Sequence, residues 1–173
     1  MNTEDSNRRR EYTLADELIH NLPYILMVLL GAGIFLAGLG ASVWGWISAG
    51  LYILYGLAGS LWIILFLCPY CRRYGTRSCP SGYGLISARL RKRQDFSRFA
   101  EKFKKHIPVI VPLWFIPPIF GVIFEIRRFD WLLLVLLAAF AVDAFVVLPL
   151  TSKKHGCKNC PQRNDCPWMK GKK

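Results

Sequence analysis

Residues 43–71 read VWGWISAGLYILYGLAGSLWIILFLCPYC. No charged side chain interrupts residues 43–67, and a C-x2-C motif, Cys68 and Cys71, follows with no linker between. An apolar run of this length crosses roughly 30 Å of hydrocarbon as a helix rising about 1.5 Å per residue. A soluble domain would spread its apolar residues among polar ones at helix or strand periods. Here they are blocked instead, and a motif that gathers soft ligands stands at the end of the block.

Three further runs of the same kind flank this one, at residues 22–41, 107–124 and 131–150. The chain has 173 residues, enough for one domain, with 53% hydrophobic residues and a net charge of +12. Charge-free stretches alternating with Lys- and Arg-rich ones mark a polytopic membrane protein. The first run is too long for the core of a signal peptide, and no clear small-residue cleavage site follows it. The expected fold is therefore an all-α integral membrane protein with four transmembrane helices in two tandem hairpins. Five segments follow: an N-terminal segment at 1–21, hairpin 1 at 22–67, a Cys-rich loop with a basic amphipathic helix at 68–106, hairpin 2 at 107–150, and a Cys-rich tail at 151–173.

Of the 23 Lys and Arg residues, only Arg127 and Arg128 lie between the third and fourth runs, and none lies between the first two. The rest sit before the first run, between the second and third, and after the fourth. The positive-inside rule then places both termini and the central loop in the cytoplasm of a multi-pass plasma or inner membrane protein. Trp44, Trp46 and Trp131 fall at the opposite ends, where an aromatic belt forms.

All six cysteines, Cys68, Cys71, Cys79, Cys157, Cys160 and Cys166, fall on the basic side. Cytoplasmic thiols stay reduced, which favours a metal site over a disulfide framework. The loop reads C-x2-C-x7-C and the tail C-x2-C-x5-C, and two intervening residues let one tight turn aim both sulfurs at one ion. Helix, helix and cysteine trio occur twice in that order, as parallel repeats would. The two patches are then expected to share one centre, each supplying half of its ligands. Cys68, Cys79, Cys160 and Cys166 each precede proline, a ferredoxin-like feature, so an iron–sulfur cluster is the expected cofactor and a four-thiolate zinc the alternative. His155 is a possible substitute ligand.

Asp143 is the acid well inside a run, and such a group marks a proton pathway or a buried polar partner. Glu125 is expected to pair with Arg127 or Arg128. Pro117 and Pro118 should bend the third helix. Gly33, Ala37 and Ala41, and Gly56 with Ser60, recur every four residues, as in helices that approach closely or form a homo-oligomer face. Residues 85–107 read as a basic amphipathic helix in the headgroup layer, carrying Arg89, Arg91, Lys92, Arg93, Arg98, Lys102, Lys104 and Lys105. Its expected partner is anionic membrane lipid, not nucleic acid, because the topology already accounts for the charge. Gly75, Gly82 and Gly84 should let the cysteine loop fold back on itself. No hydrolase, phosphate-loop, dinucleotide or H-E-x-x-H motif is present. The resulting expectation is electron transfer with a membrane redox partner or quinone, with a zinc-clipped scaffold that recruits lipid or protein, or a small transporter, as alternatives.

Overall fold

The computed structural model describes residues 11–157, 160–163 and 166–167, apart from the side chain of His155. Arg8, Arg9, Arg10, Lys158, Lys170, Lys172 and Lys173 of the charge pattern lie outside these residues. The described residues are all-helical, with no strand among them. We number the α-helices α1 Leu14–Leu39, α2 Val43–Phe66, α3 Tyr83–Leu90, α4 Phe99–His106, α5 Pro112–Arg127, α6 Trp131–Val142 and α7 Leu148–Thr151. Short 3-10 turns precede or extend several of them, and π-helical turns occupy Asp143–Val147 and Ser152–Cys157.

Four helical stretches are long and apolar enough to cross a membrane, Leu14–Leu39, Val43–Tyr70, Phe96–Arg127 and Trp131–Lys154, the most apolar 18 residues of each having mean hydropathies of 2.2, 2.1, 2.2 and 2.7. They contain the apolar runs read at 43–67, 107–124 and 131–150, and the first run as far as Leu39, with residues 40 and 41 in the turn that follows. The first begins earlier than its run because Thr13 and Asp16 close a reciprocal cap. The Thr13 backbone N–H donates to Asp16 Oδ2 at 3.0 Å, and the Asp16 N–H donates to Thr13 Oγ1 at 3.3 Å. Such a cap satisfies N–H groups that the first helical turn leaves without partners.

The chain divides into two compact units. One comprises residues 22–59 and 109–149 and holds the principal apolar core. Met27 and Ile34 of α1, Leu113 of α5, and Leu133 and Phe140 of α6 are fully buried there. The opposite faces of the same helices are apolar as well. Leu51, Leu54 and Leu57 on α2 are each more than 60% exposed, and Ile126 on α5 is 81% exposed.

Proline governs the start of α5, and α2 compensates for it. Pro117 has no N–H to bond the carbonyl four residues back, so the Leu113 carbonyl loses its helical donor. The Tyr52 hydroxyl of α2 donates to that carbonyl at 2.7 Å. The Val109 carbonyl is stranded similarly, since Pro112 follows three residues later and the Leu113 N–H bonds Ile110 instead, at 3.1 Å. The Tyr55 hydroxyl, one turn along α2 from Tyr52, donates to it. Two tyrosines on one helix thus supply the donors that prolines remove from another, which a water-free interior requires.

The small-residue stripe differs from expectation. Gly33 meets only Leu136 at ordinary contact distance, and Ala41 is exposed in the turn between α1 and α2. On α1 the tight approaches are instead at Gly31, where a Cβ would stand 2.3 Å from the Tyr52 ring, and at Gly38, where it would stand 2.1 Å from the Phe124 ring, whereas Gly56 of α2 does approach closely as expected, 2.9 Å from Val28. Glu125 also departs from expectation. Its Oε1 accepts from the Asp130 backbone N–H at 3.3 Å, and among the described residues it forms no ion pair with Arg127 or Arg128. Asp130 in turn caps α6, accepting from Leu132 N at 2.8 Å. The two acids therefore organise the α5–α6 turn through backbone donors.

The second unit comprises the described parts of residues 1–21, 60–108 and 150–173, and it contains every cysteine. In place of one long amphipathic helix, the basic segment forms two short ones, α3 and α4. The chain turns extended at Arg91, and Asp95 starts the next helical stretch by accepting from Ser97 N at 2.9 Å. Asp95 outcompetes helix continuation because its carboxylate offers the backbone a local alternative partner.

Candidate functional site

The two C-x2-C motifs adopt the same local turn. In the loop, the Cys71 N–H donates to the Cys68 carbonyl at 3.0 Å, and the Tyr74 N–H to the Cys71 carbonyl at 3.1 Å. In the tail, the Cys160 N–H donates to the Cys157 carbonyl at 3.2 Å, and the Arg163 N–H to the Cys160 carbonyl at 3.1 Å. Pro69 and Pro161 fix the backbone one residue after the first cysteine of the loop turn and the second of the tail turn. Both turns follow directly on helical segments, Cys68 after α2 and Cys157 at the end of the Ser152–Cys157 π-turn.

Loop and tail belong to one unit and are tied by Gln162, which is 2% exposed. Its Oε1 accepts from the Arg72 N–H, and its Nε2 donates to the Tyr70 carbonyl, each at 3.2 Å. One tail side chain thereby satisfies two backbone groups that flank Cys71. Nothing in the sequence singled out Gln162, because its polar side chain among PQRN reads as an ordinary surface residue.

The sulfurs sense one another across the two patches. Burial pushes the Cys71 thiol up to about 11, and the thiols of Cys79 and Cys160 add to the rise. The Arg73 N–H and guanidinium act against it. Burial also raises Cys157, with Cys160 and Cys166 adding and Arg73 and Lys153 opposing. Burial likewise raises the Cys68 thiol, with Cys79 and Cys71 adding to the rise. Arg73 is 5% exposed and acts on both trios, which makes it the common counter-charge of the site. In the sequence it is only one of the basic residues between the second and third runs.

Among the described residues no disulfide joins the six cysteines, and each is half-buried. Among the described residues no three Cys, His, Asp or Glu side chains stand close enough to hold one metal ion as placed. The neighbourhood is common to both trios, but a ligand set is not assembled in it. The site's donors are soft and desolvated, which suits zinc or iron–sulfur chemistry by type. Raised thiol pKa values are unsuited to a nucleophilic cysteine, which works as thiolate.

Glycine shapes the loop as expected, with one distinction. Gly75 and Gly82 have φ of +71° and +73°, a region open to glycine at little cost. Gly84 has no positive φ but is required for close approach, since a Cβ there would stand 2.6 Å from the Arg73 carbonyl and 3.3 Å from Cys79 Cβ. The Gly75 N–H closes the loop on the Gly84 carbonyl at 3.0 Å, and the Asn21 side chain anchors it to α1 through the Ser81 carbonyl at 3.1 Å.

Asp143 lies in the other unit, 3% exposed, and among the described residues neither carboxylate oxygen is hydrogen-bonded. It opens the Asp143–Val147 π-turn, an irregularity often found where a helix carries function. The basic residues divide among α3 (Arg89), the extended break (Arg91, Lys92, Arg93), the 3-10 turn (Arg98) and α4 (Lys102, Lys104, Lys105). Most are exposed, and Arg98 and Lys102 share Glu101 at 3.4 and 3.5 Å. Compared with protein-family models, with curated proteins and with solved structures, the chain matches none.

Proposed function

We propose that the protein is a multi-pass membrane protein of four spanning helices in two tandem hairpins. Both termini and the Cys-rich loop then lie on the cytoplasmic side of the plasma or inner membrane. Its function would be to hold a cysteine-ligated metal centre at that face. The outward faces of the helices support the membrane placement. Only 17% of the most apolar window of Phe96–Arg127 is buried within the chain, and the exposed remainder is Phe, Ile and Val rather than charge. In water such a surface would far exceed the apolar patches of monomeric proteins. The exposed indoles of Trp44, Trp46 and Trp131, at the helix ends away from the cysteines, suit the bilayer interface.

The observation that carries the metal reading is the approach of one cysteine from each trio, tied by a buried glutamine. Cys71 and Cys160 belong to different repeats, yet each lies within the other's electrostatic reach, and Gln162 joins their backbones. Half-buried soft donors from both repeats, beside one buried arginine, are poorly accounted for as packing. Thiolates drawn together would repel, and a bound cation or cluster offsets that repulsion. Cys68, Cys71, Cys79, Cys157, Cys160 and Cys166 are the candidate ligands, with Arg73 balancing an anionic thiolate centre.

An iron–sulfur centre would relay single electrons between a reduced donor protein and a membrane acceptor, either a partner protein or a quinone. Zinc is the second reading, favoured by the matched C-x2-C turns, and it would clip the two halves into a scaffold without redox chemistry. Anaerobic purification followed by metal and sulfide analysis tests the proposal. Iron with equimolar sulfide, and visible absorption that bleaches on reduction, is the expected result. Stoichiometric zinc in colourless protein supports the clip. Protein that retains no metal under these conditions refutes both.

A further inference from the structure

We propose that a recess between the end of α2, the extended segment after α3, and α4 binds the phosphodiester headgroup of an anionic phospholipid, an inference that rests on the membrane placement above. The recess encloses about 320 Å3. Arg91, Lys92, Lys102 and His106 line it, with Phe66 and Tyr70 on the opposing wall, and no acidic residue lines it.

Its backbone is fixed on both sides. The extended segment after α3 is pinned at Arg91, whose carbonyl accepts from the Tyr74 hydroxyl at 2.5 Å. It is pinned again at Gln94, whose N–H donates to the Pro69 carbonyl at 2.9 Å. Aromatic faces, more than carboxylates, position the cations. The Arg91 guanidinium lies over the Phe66 ring at 5.4 Å and the Lys102 ammonium near Tyr70 at 5.8 Å. His106 stacks on Phe66 with centroids 5.5 Å apart. Cation–π contact orients a charge without neutralising it. Among the described residues Arg91 and Lys92 meet no carboxylate, and only Lys102 is shared, with Glu101. The recess therefore presents uncompensated N–H donors in a fixed arrangement, as a phosphate oxygen requires.

The apolar wall selects a lipid over a free anion. Leu65 lines the recess, and Leu61, one turn back on the same face of α2, is 47% exposed. An acyl chain lying along Leu65 and Leu61 would bring its own phosphate to Arg91 and Lys92. Inorganic phosphate would leave that wall unused. Basic residues at the cytoplasmic end of a spanning helix are the usual readers of anionic headgroups, but a floor of stacked aromatics makes this a discrete site more than a diffuse field.

The test uses the full chain in a neutral maltoside detergent, with thermal unfolding followed against dioctanoyl phosphatidylglycerol, dioctanoyl phosphatidylcholine or inorganic phosphate. Phosphatidylglycerol should stabilise with an apparent Kd at least tenfold below either of the others. Arg91→Gln with Lys92→Gln should weaken that binding about tenfold, whereas Arg127→Gln with Arg128→Gln should leave it unchanged. Equal protection by phosphatidylcholine, equal protection by phosphate, or an unaffected Arg91/Lys92 variant overturns the site. A carbonate wash of the membranes separates the two levels of failure. Protein that stays in the pellet without lipid preference sinks the site alone, and protein that washes off sinks the membrane placement and the site together.

Discussion

Tyr52→Phe removes one oxygen and should cost far more than its size suggests. The Tyr52 hydroxyl is the donor that replaces the missing N–H of Pro117 at the Leu113 carbonyl, 2.7 Å away. Tyr52 is 4% exposed and Leu113 1% exposed, so water cannot take over. Leaving a buried acceptor without a partner costs about 1–3 kcal/mol in water-soluble proteins. Interhelical bonds in membrane bundles average nearer ~0.6 kcal/mol, because the unfolded reference also finds partners. A loss of about 1–2 kcal/mol is therefore expected, read as reduced resistance to denaturing detergent in mixed micelles. The cause is separable from general damage by a double-mutant cycle. Pro117→Ala restores an N–H to the Leu113 carbonyl, so Tyr52→Phe should cost about 1 kcal/mol less in that background. Equal costs in both backgrounds would refute the pairing of tyrosine with proline.

Gln162→Ala should release the tail from the loop. Two hydrogen bonds of a buried amide are lost, at about 0.5–1.5 kcal/mol each, and ~2 kcal/mol of lost docking makes alkylation of Cys71 and Cys160 roughly 30-fold faster. Peptide-resolved labelling unchanged within about twofold would show that Gln162 does not hold the patches together. Asp143→Ala should raise stability by ~1 kcal/mol, since it removes two unpartnered buried oxygens and leaves only a small void. Destabilisation in the same detergent titration would mean that the carboxylate has a partner that earns its place.

The four apolar helices were legible because each announces itself as a long charge-free run, and the helical stretches hold those runs except for residues 40 and 41, which turn between α1 and α2. The cysteine turns were legible for a similar local reason: C-x2-C constrains its own backbone, and Gly75 and Gly82 take the positive φ the folded-back loop needs. What escaped notice depends on which residues meet across distant segments. The pairing of Tyr52 with Leu113 is visible only once the helix rotations are known, although Pro117 does announce an orphaned carbonyl. Arg73 was legible only as part of the charge pattern and Gln162 not at all, because their burial comes from the loop and tail that enclose them. The break at Arg91 escaped because the periodic Phe96, Phe99 and Phe103 suggested one continuous face, while Asp95 carried the capping signal.

The most direct measurement is metal content after substituting one cysteine from each repeat, in anaerobically purified full-length protein. If loop and tail ligate one centre, Cys71→Ser and Cys160→Ser should each lower bound metal to a similar fraction of the wild-type level. Full retention of metal by either variant, with loss in the other, would contradict a shared centre and assign the metal to one trio alone.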